Sequence, residues 1–274
     1  MPFLDVNGTS LRYHLAGDGE GVLVLLHEMG GALESWDDVV PALVKTHRIL
    51  RYDMRGHGGS EKIRGPYSAA DGARDLAALL DALDLRQPVA LAGCAVGASI
   101  ALQFAADYPE RAARLVAMAP STGIKPEARG WALDWAAAIE REGMRRFVDA
   151  EMAPNAFPPV LRTDAARFML FRGRQLANDP ASFAATYRML AATDIGERLG
   201  SIRCPTLLIA GTHDVPRSPA VVATLVDAFP DARMEVLDSG HFMMIQTPEE
   251  VASVMLDFLS PSPSLPARSA APHG

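Results

Sequence analysis

Apolar and polar positions follow two different rhythms along the chain. Over residues 1–120, short apolar runs bounded by Gly, Pro and Asp alternate with amphipathic stretches, the pattern of parallel strands joined by helices. "SLRYHLAG" alternates as an outer strand does, whereas "GVLVLLH" is a continuous apolar run and predicts a central one. After "HRILRYDMRGHGGS" comes "DGARDLAALLDALDL", in which Leu76, Leu79, Leu80 and Leu83 share one helix face. "QPVALAG" predicts another buried strand, "AVGASIALQFAADYP" a helix and "RLVAMAP" a further strand.

From Ser121 to about Gly200 the alternation stops. "WALDWAAAIEREGMRRFVDAEM", "TDAARFMLFRGRQLA" and "PASFAATYRMLAATDI" are all helical by pattern, with prolines between them. Strand character resumes at "PTLLIAG", followed by a helix near Val221 to Phe229, the strand "ARMEVLDSG" and a last helix, "TPEEVASVMLDFL". The pattern predicts an α/β fold whose mostly parallel central sheet, flanked by helices, is built from residues 1–120 and 201–260. A helical lid is inserted over residues 121–200, and the tail 261–274 is too rich in Ser, Pro and Ala to pack and is expected to be disordered.

Composition narrows the function. With 26 Lys plus Arg against 33 Asp plus Glu, the net charge is −7, and a phosphate backbone finds no basic surface, so no nucleic acid is expected as partner. No stretch is long and apolar enough to span a bilayer, and the N-terminus "MPFLDVNGTS" lacks a signal pattern. The two cysteines, Cys94 and Cys204, imply no disulfide framework and fit a reducing cytoplasm. No His or Cys spacing points to a metal site, and "GDGEG" lacks the helix a phosphate loop needs and is a turn. No cofactor is expected, the partner is a small-molecule substrate, and a homo-oligomer is left open.

Candidate chemistry lies in five loops. "VALAGCAVGAS" is a buried strand running into a glycine-flanked turn and a helix, and "LLHEMGG", "YDMRGHGGS", "GTHD" and "SGHF" each follow an apolar run or lie just after one. Taken together and in this order they resemble the α/β-hydrolases, in the lid-bearing branch that includes 3-oxoadipate enol-lactonases and related esterases, from Phe3 to Leu259. The resemblance implies a nucleophile on a strained strand-to-helix turn, an acid, then a histidine that takes the nucleophile's proton. Asp214 and His241 occupy the second and third places, and the backbone N–H groups of Met29 and Val96 the oxyanion hole. An Asp after a strand is commonly a turn former, the role kept for His213 beside it is structural, and only the joint register lifts Asp214 and His241 above such readings.

The first place is irregular. With Gly93 and Gly97 as the flanking glycines the central residue is Ala95, which cannot attack anything; centring on Cys94 instead puts a β-branched Val96 where close packing wants Gly. Ala95 is either an inactivating Ser→Ala substitution or a natural site without a nucleophile, in which His241 and Asp214 activate water. Cys94 is the remaining candidate, against its reading as a small buried hydrophobe. Glu28 replaces the usual Gly of the HGxG loop. It is expected to point outward as a solvated or ion-paired residue, the alternative being a proton carrier or water holder that binds substrate.

His27, Arg55 and His57 are assigned structural roles. Trp131, Trp135, Phe168, Phe171 and Tyr187 are expected to pack the lid, with Arg167, Arg172 and Arg174 on its surface unless one faces the cleft to hold a substrate carboxylate. Losing a serine nucleophile costs on the order of 10⁶ in turnover. An Ala95 enzyme therefore suits an already activated carbonyl compound such as an enol lactone or enamine. The expectation is a cofactor-independent hydrolase of that kind; the rivals are a lyase or isomerase of the same fold and a receptor that binds without turnover.

Overall fold

The strands are β1 (Phe3–Val6), β2 (Thr9–Ala16), β3 (Gly21–Leu26), β4 (His47–Tyr52), β5 (Val89–Cys94), β6 (Ala112–Met118), β7 (Thr206–Gly211) and β8 (Ala232–Leu237). In the computed structural model, which describes residues 1–260, they form one sheet ordered β1-β2-β4-β3-β5-β6-β7-β8. β1 pairs antiparallel with β2 and β2 antiparallel with β4; from β4 to β8 every pairing is parallel. The apolar run of β3 is explained by its place: it lies between β4 and β5, covered on both faces, and Leu23, Val24, Leu25 and Leu26 are fully buried. β8, at the sheet edge, is mostly exposed along its length.

Helices of eight or more residues are α1 (Ala69–Ala82), α2 (Val96–Asp107), α3 (Arg129–Glu142), α4 (Ala165–Leu176), α5 (Pro180–Ala192), α6 (Pro219–Val226) and α7 (Pro248–Leu259). α1 begins where Ser68 and Asp71 satisfy each other's backbone donors in a capping box, and it buries Leu76, Leu79 and Leu80 as their spacing predicts. α3, α4 and α5 all fall between β6 and β7, so the chain leaves the sheet there and re-enters it. The two crossings are stitched together: Gly123 bridges Asp194, the Ile195 N–H donates to Thr122 O and the Ile124 N–H to Leu190 O. Inside the insertion Phe147, Phe183 and Tyr187 stack within 6 Å of one another.

Three expectations need correction. β1 was not foreseen, because "FLDV" offers one buried position and too short a pattern. The stretch "WALDWAAAIEREGMRRFVDAEM" is not one helix: α3 stops at Gly143, whose φ of 80° lies outside the helical region, and the chain continues as shorter turns. The helix expected from Val221 to Phe229 is α6, which starts at Pro219 and ends at Val226. The tail 261–274 lies outside the described residues.

At β3 the chain order reverses, β4 lying on one side and β5 on the other, and in open sheets ligands bind outside the carboxyl ends of strands at such a point. The turn between β5 and α2 is held there by two glycines. A Cβ on Gly93 would lie 2.5 Å from the Gly97 carbonyl carbon, and one on Gly97 would lie 2.4 Å from the His27 carbonyl oxygen, so β5, α2 and the end of β3 touch backbone to backbone. Replacing Gly97 with Ala should therefore cost about 1–3 kcal/mol of stability, read from urea unfolding, because the obstructing atoms are main chain and cannot swing aside. An unchanged midpoint would contradict this packing.

Candidate active site

Ala95 sits at the turn with φ 52° and ψ −110°, a conformation that side-chain-bearing residues rarely adopt. Its N–H donates to Met118 O at 2.9 Å, its C=O accepts from the Ser99 N–H at 3.1 Å, and α2 starts at the next residue. The elbow is thus centred on Ala95, and only a methyl group stands where the turn presents a side chain. Cys94 is the last residue of β5, fully buried, with its thiol donating to the His241 carbonyl at 3.3 Å. Burial pushes its pKa well up, which removes the thiolate that nucleophilic attack requires.

The same contact brings the loop after β8 against the elbow. His241 Nδ1 lies 2.8 Å from Asp214 Oδ2. Asp214 is 2% exposed, and its other oxygen accepts from the Arg217 N–H at 2.8 Å, so neither carboxylate oxygen is left unpaired. With Nδ1 engaged as donor, Nε2 has no protein partner among the described residues and is the nitrogen free to accept a proton. The loop itself is pinned by residues the sequence did not single out. Gln246 Oε1 accepts from the N–H groups of Gly240 and Phe242, each at 3.1 Å, and Ala156 O in the insertion accepts from the His241 N–H at 3.2 Å. Arg217 spreads its guanidinium over the carbonyls of Pro120, Pro216 and Gly123 and the Ser121 hydroxyl, tying the Asp214 loop to the start of the insertion. His213 points elsewhere, to Asp238 at 2.9 Å.

The loop after β3 faces the elbow from the neighbouring strand. His27 Nε2 accepts from the Met54 N–H at 3.0 Å, so Nδ1 carries the proton and donates to Glu28 O at 2.7 Å. Burial lowers the pKa of this ring and pulls that of His57, 5.2 Å away, down to about 3, so both are neutral struts, and Arg55 pairs with Asp75. Met29, in the loop after β3, and Val96, the first residue of α2, are buried, and among the described residues neither N–H donates to an acceptor outside α2. Two buried N–H groups, one in the loop after β3 and one at the start of α2, are the kind of donors an oxyanion hole requires. From the insertion, Gln175 donates to Met29 O at 3.4 Å and Asn178 to Gly30 O at 2.8 Å, fixing the carbonyl side of that loop. Nothing in the sequence marked these two amides, one in the last turn of α4 and the other two residues beyond its end.

Glu28 does not point outward. It is 1% exposed, Oε1 accepts from the Ser35 hydroxyl at 3.0 Å, Oε2 has no partner, and among the described residues no cation is in ion-pairing contact with it, Arg174 acting only at longer range. The reason is steric opportunity: the carboxyl lies where a Cβ on Gly31 would be, so that glycine admits the side chain beneath its own loop. Desolvation raises its pKa to about 7, so near neutrality the group holds a proton as readily as it loses one. Phe171 is buried 5.5 Å from Phe242, beside His241, and gives the site an apolar wall, whereas Trp131 is largely exposed. Arg167 faces Asp38 and Arg172 pairs with Asp149. Among the described residues no group of His, Cys, Asp and Glu could hold a metal ion, and no helix is long and apolar enough to cross a membrane.

Comparison with known proteins gives this arrangement its class. Residues 21–189 match the alpha/beta hydrolase fold family, and the chain belongs to it; it is a hydrolase of that superfamily. The 3-oxoadipate enol-lactonase 2 of Acinetobacter baylyi is 25% identical over 90% of this chain and 91% of its own. Among solved structures, the enol-lactonase of Burkholderia xenovorans superposes with a TM-score of 0.88 at 29% identity, covering 94% of this chain and 99% of its own. A hydrolase from Pseudomonas aeruginosa does so at 0.89 and 31% identity, covering 95% and 98%.

The buried Glu28 makes stability depend on pH. Its folded pKa of about 7 lies above the usual value of 4.5, so its contribution is full below pH 4.5, shrinks as the unfolded chain ionises, and is gone once pH has risen through 7. Glu28→Gln should remove a decline of roughly 3 kcal/mol across that window, measured as the difference between wild-type and variant urea titrations. Parallel curves for the two proteins would mean the carboxyl is not buried neutral.

Proposed function

We propose that the protein hydrolyses a small, already activated carbonyl compound, an enol lactone or its chemical equivalent, by direct attack of water. The observation that carries this reading is the His241–Asp214 pair set against an elbow whose side chain is only the methyl of Ala95. In the proposed reaction His241 Nε2 takes a proton from a water molecule as the water oxygen bonds to the substrate carbonyl carbon. Asp214 keeps the ring in the tautomer with Nδ1 protonated and balances the imidazolium. The carbonyl oxygen gains the negative charge and accepts from the Met29 and Val96 N–H groups. Collapse breaks the bond to the leaving oxygen, which recovers the proton from the imidazolium, giving an acid and an enol that tautomerises to a ketone.

Magnitudes restrict the substrate. Oriented binding and an oxyanion hole without a covalent nucleophile leave roughly 10³ to 10⁴ over the uncatalysed reaction. An alkyl ester or amide is then turned over too slowly to be useful, but an enol ester, whose leaving group is stabilised, is within reach. The likeness to two enol-lactonases supports the same class. With its partner a small molecule and Cys94 and Cys204 both free thiols, the setting that fits is the cytoplasm.

Two substitutions test the reading. His241→Ala should lower kcat/KM on an enol lactone by about 10² to 10⁴ while circular dichroism shows the fold retained. Ala95→Ser should add turnover of p-nitrophenyl acetate together with a burst of acylation, because it places a hydroxyl at the elbow. Retained activity in His241→Ala would refute the general-base role.

A further inference from the structure

Of Arg167, Arg172 and Arg174, only Arg174 is not paired with a carboxylate, and it leads away from His241. A cleft of about 280 Å³ opens where Arg12 on β2, the loop 30–34, the loop 58–62 and residues 174–178 meet. Three cations border it, Arg12, Lys62 and Arg174, against the single carboxylate Glu34. Arg12 is fully committed, 2.5 Å from Asp53 and 2.7 Å from Glu34. The other two are not: the Lys62 ammonium donates to Gly58 O at 2.8 Å and the Arg174 guanidinium to Glu34 O at 3.3 Å, and both acceptors are neutral carbonyls. The next acidic group facing Lys62, Asp179, caps α5 and is occupied by the N–H and hydroxyl of Ser182.

The cleft therefore holds two cations with no carboxylate in direct contact, Glu28 acting on Arg174 and Asp179 and Asp53 on Lys62 only at longer range, in a chain whose net charge is −7. Partial burial lowers the Lys62 pKa, a cost that a bound anion would offset. Gly30, Gly31, Gly58 and Gly59 line it as well, so bare backbone borders the space between the cations. Its volume lies just below the span typical of drug-sized ligands, so the occupant is small. We propose that this cleft is a second binding site, separate from Ala95, Asp214 and His241, for a small dianion, a phosphate or short dicarboxylate, whose oxygens bridge Lys62 and Arg174. Such a ligand joins the insertion, through α4, to the loop 58–62 and lies against Gly30 and Gly31, the residues that follow Met29. Occupancy then stabilises the arrangement in which both N–H donors are aligned, and by linkage substrate strengthens anion binding in the same ratio.

Binding is read directly, so the outcome does not depend on the proposed reaction. Isothermal titration of the full chain with inorganic phosphate, and separately with succinate, at constant ionic strength should show one site. Lys62→Gln and Arg174→Gln should each weaken it about tenfold or more, and Lys62→Arg should retain it. Circular dichroism confirms that each variant is folded, and the exposed end of the Lys62 side chain makes that variant the safer one. Heat from phosphate alone identifies a phosphate site, heat from succinate alone a carboxylate site, and either supports the proposal. No heat from either anion, or binding indifferent to both charge removals as for an adventitious ion only, overturns it.

Discussion

Direct backbone contact between β5, the first turn of α2 and the end of β3 is the constraint on which the site depends. It exists because Gly93 and Gly97 have no Cβ, and it holds Ala95 in a strained turn that an isolated chain would abandon at a gain of about 1–3 kcal/mol. From that contact follow the position of the Val96 N–H, the approach of the Met29 loop, and the seat of the Cys94 thiol against the His241 carbonyl. The turn is the device by which related folds expose a nucleophile. Here the same strain is kept although the side chain it presents is a methyl, which argues that the geometry serves the donors and the histidine around it.

Charge is distributed with the same economy. Asp214 has every oxygen satisfied, and its satisfied state is what orients His241. Glu28 is the opposite case, buried with one oxygen unmatched and a pKa near neutrality, immediately before Met29. Ionised, it would set a negative charge beside the place where the proposed reaction develops one. Neutral, it removes that penalty and holds a proton. Arg167 and Arg172 pair with carboxylates, whereas Arg174 donates only to the Glu34 carbonyl and borders a cleft of its own.

Much of the fold could be read from the chain because its signals are local. β3, β5 and β7 are continuous apolar runs that only a strand buried on both faces explains, and α1 carries its own cap and stripe. The elbow was legible too, since a glycine four residues before another at a strand end has few other uses. What escaped was set by distant parts of the chain. Whether Glu28 points in or out depends on space above Gly31 and on the Ser35 hydroxyl. Gln175 and Asn178 matter only because α4 folds back onto the loop after β3, and Arg217 only because its loop meets Pro120. The break at Gly143 was visible as a glycine, but helical spacing on both sides outweighed it.

The central claim is that water, not a side chain, attacks the substrate. Intact-protein mass spectrometry during turnover of an enol lactone tests it most directly, with the reaction quenched in acid while product is still accumulating. The account predicts steady product formation with the protein mass unchanged throughout. A mass increase equal to the acyl portion of the substrate, on Cys94 or any other residue, would contradict it.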